Sequence, residues 1–124
     1  MAALFNDSVL DAALDKIATG NALHICSGAP ADRAGVLAAS LATTTLASGD
    51  FTKANGDVDG RKVTVAAKNG VSVTASGTPA SYCVIDGTSL LARTDVDASS
   101  PALTSGSTTN IPAVDFEIGD PTVV

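Results

Sequence analysis

The stretch Gly49–Ser76, GDFTKANGDVDGRKVTVAAKNGVSVTAS, decides how this chain is read, because it carries its clearest hairpin signal. From Arg61 to Lys68 the residues alternate. Val63, Val65 and Ala67 fall on one face of an extended strand, and Lys62, Thr64, Ala66 and Lys68 on the other. Val71, Val73 and Ala75 alternate in the same way against Ser72, Thr74 and Ser76. Asn69-Gly70 between the two runs suggests a two-residue type I′ loop. That register sets Ala67 opposite Ser72 and Val65 opposite Thr74, mixing apolar and polar faces. A three-residue loop, Lys68-Asn69-Gly70, instead pairs Ala67 with Val71, Val65 with Val73 and Val63 with Ala75, which makes one apolar surface. The expectation is a hairpin in which Gly70 has positive φ as the left-handed residue of a G1 bulge.

Working outward, Asn55-Gly-Asp-Val-Asp-Gly60 reads as a loop. Asn55, Asp57 and Asp59 are candidate calcium ligands, because such loops supply oxygens at alternate positions. The loop lacks a Glu at the twelfth position, and Asx-type turns account for the same residues. On the N-terminal side, Leu41–Leu46 and Ala22–Ser27 read as strands, and Ala31–Ser40 as a short helix or an irregular excursion. Asn6-Asp7-Ser8 supplies N-cap residues. Val9, Leu10, Ala13, Leu14 and Ile17 then recur at helical spacing opposite Asp11, Asp15 and Lys16, predicting a helix over about residues 8–19 with Gly20 as its C′ stop. Its apolar face either covers the sheet, the favoured reading, or docks on a neighbouring subunit, so Val9, Leu10 and Leu14 are interface candidates.

On the C-terminal side, Ser81–Ile85 and Ser89–Arg93 flank Asp86-Gly87, a second hairpin signal. Tyr82, Val84 and Leu91 share one face, and Cys83, Ile85 and Leu90 the other. Two apolar faces call for cover on both sides, from an oligomer interface or from the N-terminal helix. Tyr82, Val84 and Leu91 are therefore interface candidates too. Ala102–Ser105 and Ser107–Ile111 around Gly106 suggest a third hairpin. The last strand sets Pro112, Val114, Phe116 and Ile118 against Asp115 and Glu117.

At 124 residues, with no long linker or composition shift, the chain fits a single domain spanning residues 1–124. Aromatic residues make up only 3% of it, so the core is built from Val, Leu, Ile and Ala. The formal net charge of −6 argues against nucleic-acid and anionic-membrane partners, both of which require clustered Lys and Arg. No signal peptide or membrane-spanning run is expected. The two cysteines, Cys26 and Cys83, match no zinc or redox spacing and are expected to be buried free thiols.

Catalytic patterns are weak. His24 is the sole histidine and lies in mid-strand. As a triad base it lacks a nucleophile elbow, as a partner of Cys26 it lies on the same strand face, and as a metal ligand it lacks a third donor. Asp115 and Glu117 lie about 7 Å apart on one strand face. Paired carboxylates can cleave glycosides, but a solvated outer face accounts for these two without further assumptions. No enzyme activity and no cofactor are expected.

Taken together, several pieces resemble small virion structural proteins of tailed bacteriophages: the acidic N-terminal helix, Ile25-Cys-Ser-Gly-Ala-Pro30, Leu46–Thr52 (LASGDFT), Asn55–Lys68, Ala75-Ser-Gly-Thr78 and Ile111–Ile118. The resemblance covers most of the chain and carries no catalytic motif. It implies a part of the virion, made in the host cytoplasm. The expected role is a capsid decoration (cement) protein that binds the major capsid protein, or another virion protein, as a small homo-oligomer, with a trimer favoured. A neck, collar or tail component is the alternative, and a carbohydrate- or calcium-binding adhesion module is a further one. The expected fold is mainly β, an antiparallel sandwich or barrel-like domain with one short N-terminal helix.

Overall fold

The computed structural model describes residues 6–56, 60–96 and 101–118. The fold is mainly β, antiparallel and sandwich-like. It begins with helix α1 (Asp7–Ile17), where the Asn6 side chain caps the first turn by accepting from the Ser8 backbone N–H at 2.8 Å. Nine strands follow: β1 (Ala22–Cys26), β2 (Ser40–Thr45), β3 (Phe51–Asn55), β4 (Arg61–Val65), β5 (Lys68–Ser72), β6 (Ser81–Ile85), β7 (Leu90–Asp95), β8 (Thr108–Ile111) and β9 (Val114–Ile118). A second helix, α2 (Arg33–Ala39), bridges β1 and β2, and a short 3-10 turn (Ser48–Asp50) precedes β3. Of the two readings of Ala31–Ser40, a short helix or an irregular excursion, the helix is the one formed. Asp32 starts α2 by accepting from the Gly35 N–H at 2.7 Å.

One layer is a four-stranded sheet in the order β2-β1-β6-β7; the other comprises the sheet β3-β4-β9 and the pair β5-β8. Leu23, Ile25, Ala42 and Val84 from the first layer meet Val63, Val65, Val71, Ile111, Val114 and Phe116 from the second, and Leu14 of α1 closes the core. Alternation along each strand does this. In β9, Val114 and Phe116 are buried while Asp115 and Glu117 are exposed, as the sequence predicts. Two ion pairs fasten α1 to the sheet: Asp11 to Arg61 at 2.8 Å and Asp15 to Lys53 at 2.6 Å.

The central hairpin is not formed. β4 does not pair with β5. Its edges are taken by β3, through the register Asn55↔Arg61 to Phe51↔Val65, and by β9, through Lys62↔Glu117 to Val65↔Val114. With both edges filled, the chain crosses at Ala66–Ala67 to the other pair of strands. The crossover is held by the Ala66 N–H on the Asp50 carbonyl at 2.8 Å and by the Lys68–Asp50 ion pair at 2.8 Å. The facing is nevertheless readable from sequence: Val63, Val65, Val71 and Val73 all enter one core. Gly70 has φ +67 as expected, but at a register shift between β5 and β8. There its N–H donates to Asn110 Oδ1 at 3.0 Å. β3 gives no strand signal in the sequence because four of its five residues are exposed and it has little alternation.

The hairpin β6–β7 forms as predicted. The Asp86 carboxylate accepts from the N–H groups of Thr88 and Ser89, shaping the turn. The third hairpin does not form. Gly106 has φ +90 in a turn, but Leu103 bridges Gly77 while β8 pairs with β5. The face of β6 carrying Cys83 and Ile85 is covered by α2 through Val36 and Ala39, rather than by α1.

Gly20 is a further correction. It has no positive φ and so is no left-handed cap; α1 ends at Ala18, whose N–H bonds to Leu14 O at 3.0 Å. Gly20 is required by close packing, since a Cβ there would collide with Val84 Cγ1 and lie 3.1 Å from Ile17 O. Gly20→Ala is expected to destabilise by about 1–3 kcal/mol through overpacking, and Gly70→Val by about 1–2 kcal/mol through left-handed backbone strain. Urea denaturation with the midpoint as readout checks both; a midpoint unchanged in either variant contradicts the account of that glycine.

Candidate docking groove

Ile25 of β1 and Tyr82 of β6 are register partners on the inner face of the four-stranded sheet. Beyond them the two layers part, leaving an open groove of about 260 Å3. Thr109 and Asn110 of β8 and Pro112 form the opposite wall, and Pro79, Val96, Pro101 and Leu103 complete the lining. Three prolines fix φ along its rim, so the shape is preformed. Among the described residues, none of the lining side chains is acidic, basic or a thiol. Its polar groups are the Tyr82 and Thr109 hydroxyls and the Asn110 amide, set among Ile25, Val96, Leu103 and the prolines.

A second cleft, of about 280 Å3, opens between β7 and β9 and is lined by Ile17, Ala92, Arg93, Thr94 and Asp115–Ile118. It contains the two carboxylates noted in the sequence. The Thr64 hydroxyl donates to Asp115 at 2.7 Å and Lys62 lies 3.4 Å away. The Thr64 hydrogen bond, with help from Lys62, holds Asp115 below the usual carboxylate range. A general acid needs the opposite shift.

The remaining sequence candidates separate as follows. Leu10, Leu14 and Val84 are buried in the chain's own core, and Tyr82 and Leu91 pack on its margin. Val9 is 55% exposed and Leu37 of α2 is 49% exposed. Of the calcium candidates, Asp57 and Asp59 lie outside the described residues, and Asn55 Oδ1 accepts from Arg61 Nη1 at 2.8 Å. Among the described residues no group of three or more His, Cys, Asp or Glu is placed to hold a metal ion. Sequence reasoning misses the groove itself. Its walls come from four separate parts of the chain, and the only local signal is the pair of prolines, Pro101 and Pro112, flanking a strand.

His24 is buried at 6% exposure between two hydroxyls of β2, with Ser40 Oγ 2.8 Å from Nδ1 and Thr43 Oγ1 3.3 Å from Nε2. Burial, and then the Arg33 charge, push the imidazole below its usual value. Cys26 and Cys83 are buried and unbonded on the same outer sheet face. Compared with protein-family models, curated proteins and solved structures, the chain matches none.

The depressed His24 pKa has a sign. The unfolded imidazole takes a proton first as pH falls through about 6.5, while the folded one resists. The contribution of His24 to stability is therefore complete above that value and is lost as pH drops toward the folded pKa. Between pH 7.5 and 5.5 the urea midpoint is expected to fall, and to fall less in His24→Gln. Equal slopes in the two proteins would overturn the assignment.

Proposed function

We propose that this chain is a bacteriophage virion structural protein, a capsid decoration protein that binds the major capsid lattice as a small homo-oligomer. The observation that carries the reading is the largely apolar groove beside Tyr82, with no acidic, basic or thiol side chain among the described residues of its lining. Such a groove suits seating an uncharged stretch of another protein chain. The sequence resemblance supplies the context, and the small domain with both sheet faces covered from within supplies the rigidity a cement requires. Binding proceeds by burying apolar surface at a junction between capsid subunits, with shape complementarity setting the register. Val9 and Leu37, exposed on the two helices, extend the apolar area available for contact.

Two measurements test this. The first is the copy number of the protein in purified particles relative to the major capsid protein, by quantitative mass spectrometry. A ratio near one, or one trimer per local threefold, is expected. A dozen or so copies would transfer the role to neck or tail, and absence from the particle would end the structural reading. The second is incorporation of the double variant Val96→Asp/Pro112→Asp, which places charge in the groove at one partly buried and one exposed position. A loss of at least about tenfold in capsid affinity, equal to about 1.4 kcal/mol, is expected with unchanged circular dichroism. Full incorporation would remove the groove from the interface.

A further inference from the structure

Cys26 and Cys83 occupy adjacent strands on one sheet face. In the β1–β6 register Cys26 stands opposite Ser81 and Cys83 opposite His24, so the two thiols are diagonal neighbours. Both are fully buried, in one cluster with Val36 and Ile85. The cover over them is α2, a helix of seven residues with one buried side chain, Val36. Cys26 Sγ–H donates to the Val36 carbonyl at 3.7 Å, and Cys83 Sγ lies 3.6 Å from Ser81 Oγ. Among the described residues the polar moorings of this lid include Arg33 Nε donating to Asp86 O at 2.8 Å, the Ser27 N–H donating to the Ala39 carbonyl at 3.1 Å, and Arg93 Nη1 donating to Pro30 O just ahead of the helix.

We propose that Cys26 and Cys83 form a latent disulfide site, sealed beneath α2 and closed by a low-molecular-weight disulfide when that helix lifts. Cys83 reacts first. It stands opposite Arg93 in the β6–β7 register, where the positive charge favours its thiolate. The Cys83 thiolate attacks one sulfur of the reagent and forms a mixed disulfide, and the expelled reagent thiolate takes up a proton. Cys26, losing its proton to solvent, attacks the Cys83 sulfur and expels the second reagent thiolate, which is protonated in turn. Two protein thiols are oxidised to one S–S bond, and one reagent disulfide is reduced to two thiols. The site does not depend on the virion reading. It would stay reduced in a cytoplasm and close on release into an oxidising medium.

The probe is oxidised glutathione, applied to the folded full chain, followed by alkylation in denaturant and intact-mass measurement. The expected product is a monomer lacking two hydrogens and refusing alkylation. Cys26→Ser is expected to stop at one glutathione on Cys83, and Cys83→Ser to react much more slowly. Val36→Ala, which loosens the lid, is expected to oxidise on the order of tenfold faster. Val63→Ala, a similar truncation in the other core, is expected to leave the rate within about twofold, because opening is local. Two alkylatable thiols after prolonged exposure of the wild type, a disulfide-linked dimer, or equal acceleration by Val36→Ala and Val63→Ala would each overturn the proposal.

Discussion

Strand β4 is bonded along both edges while its valines point into the core, and this double commitment settles where the rest of the chain goes. Val63 and Val65 are fully buried, and each side chain contributes about 1.5–3 kcal/mol on leaving water. That gain requires one face inward, and β3 and β9 then satisfy the backbone groups on the two flanks. No edge is left for the segment that follows. It must cross to β8, carry Val71 and Val73 into the same core, and leave a register shift at Gly70 where only a left-handed residue fits. The same crossing joins the layers. Val73 bridges Ala42, and the N–H groups of Thr74 and Ala75 both reach the Leu41 carbonyl.

The four-stranded layer faces the opposite difficulty, because both of its faces are apolar along β1 and β6. The chain meets it from within. The inner face joins the main core, and the outer face receives α2, inserted between β1 and its partner β2. The polar groups drawn under that cover are matched locally, Ser81 to the Gly28 carbonyl at 2.6 Å and His24 to Ser40 and Thr43. Among the described residues no buried side-chain nitrogen or oxygen lacks a partner. A single short helix therefore covers the thiol pair, while His24 on the same face is enclosed by the hydroxyls of β2.

The sequence is legible wherever a signal is local. The cap at Asn6, the alternation of β9, the turn at Asp86-Gly87, the two-sided burial of β6 and the positive φ of Gly70 all follow from residues within a few positions of one another. Pairing is not legible, because alternation fixes which face a residue takes but not which strand lies beside it. The Val63/Val71 runs satisfy the hairpin register and the observed one equally well, and only the occupancy of both β4 edges distinguishes them. β3 and Gly20 escape for a related reason: an exposed edge strand needs no pattern, and a glycine facing Val84 is required by a contact from a distant strand. The groove is invisible for the same cause, since Ile25, Tyr82, Leu103 and Pro112 meet only after the layers are assembled.

The acidic character of the chain takes on a specific meaning in this arrangement. Asp11, Asp15, Asp50 and Asp115 each hold a Lys or Arg, fastening α1, the crossover and the β4–β9 edge. These carboxylates are committed to ties at or near the surface, whose individual worth is small and salt-dependent, and the groove lining, among the described residues, carries no charge. A partner seated there would gain its affinity from excluded water and matched shape, with no charge pair steering its approach. Added salt screens such charge pairs but leaves apolar burial intact, so complexes made through the groove should survive ionic strengths that strip electrostatically bound proteins. On the proposed reading, recognition there would rest on fit rather than on field, as a permanent structural contact requires.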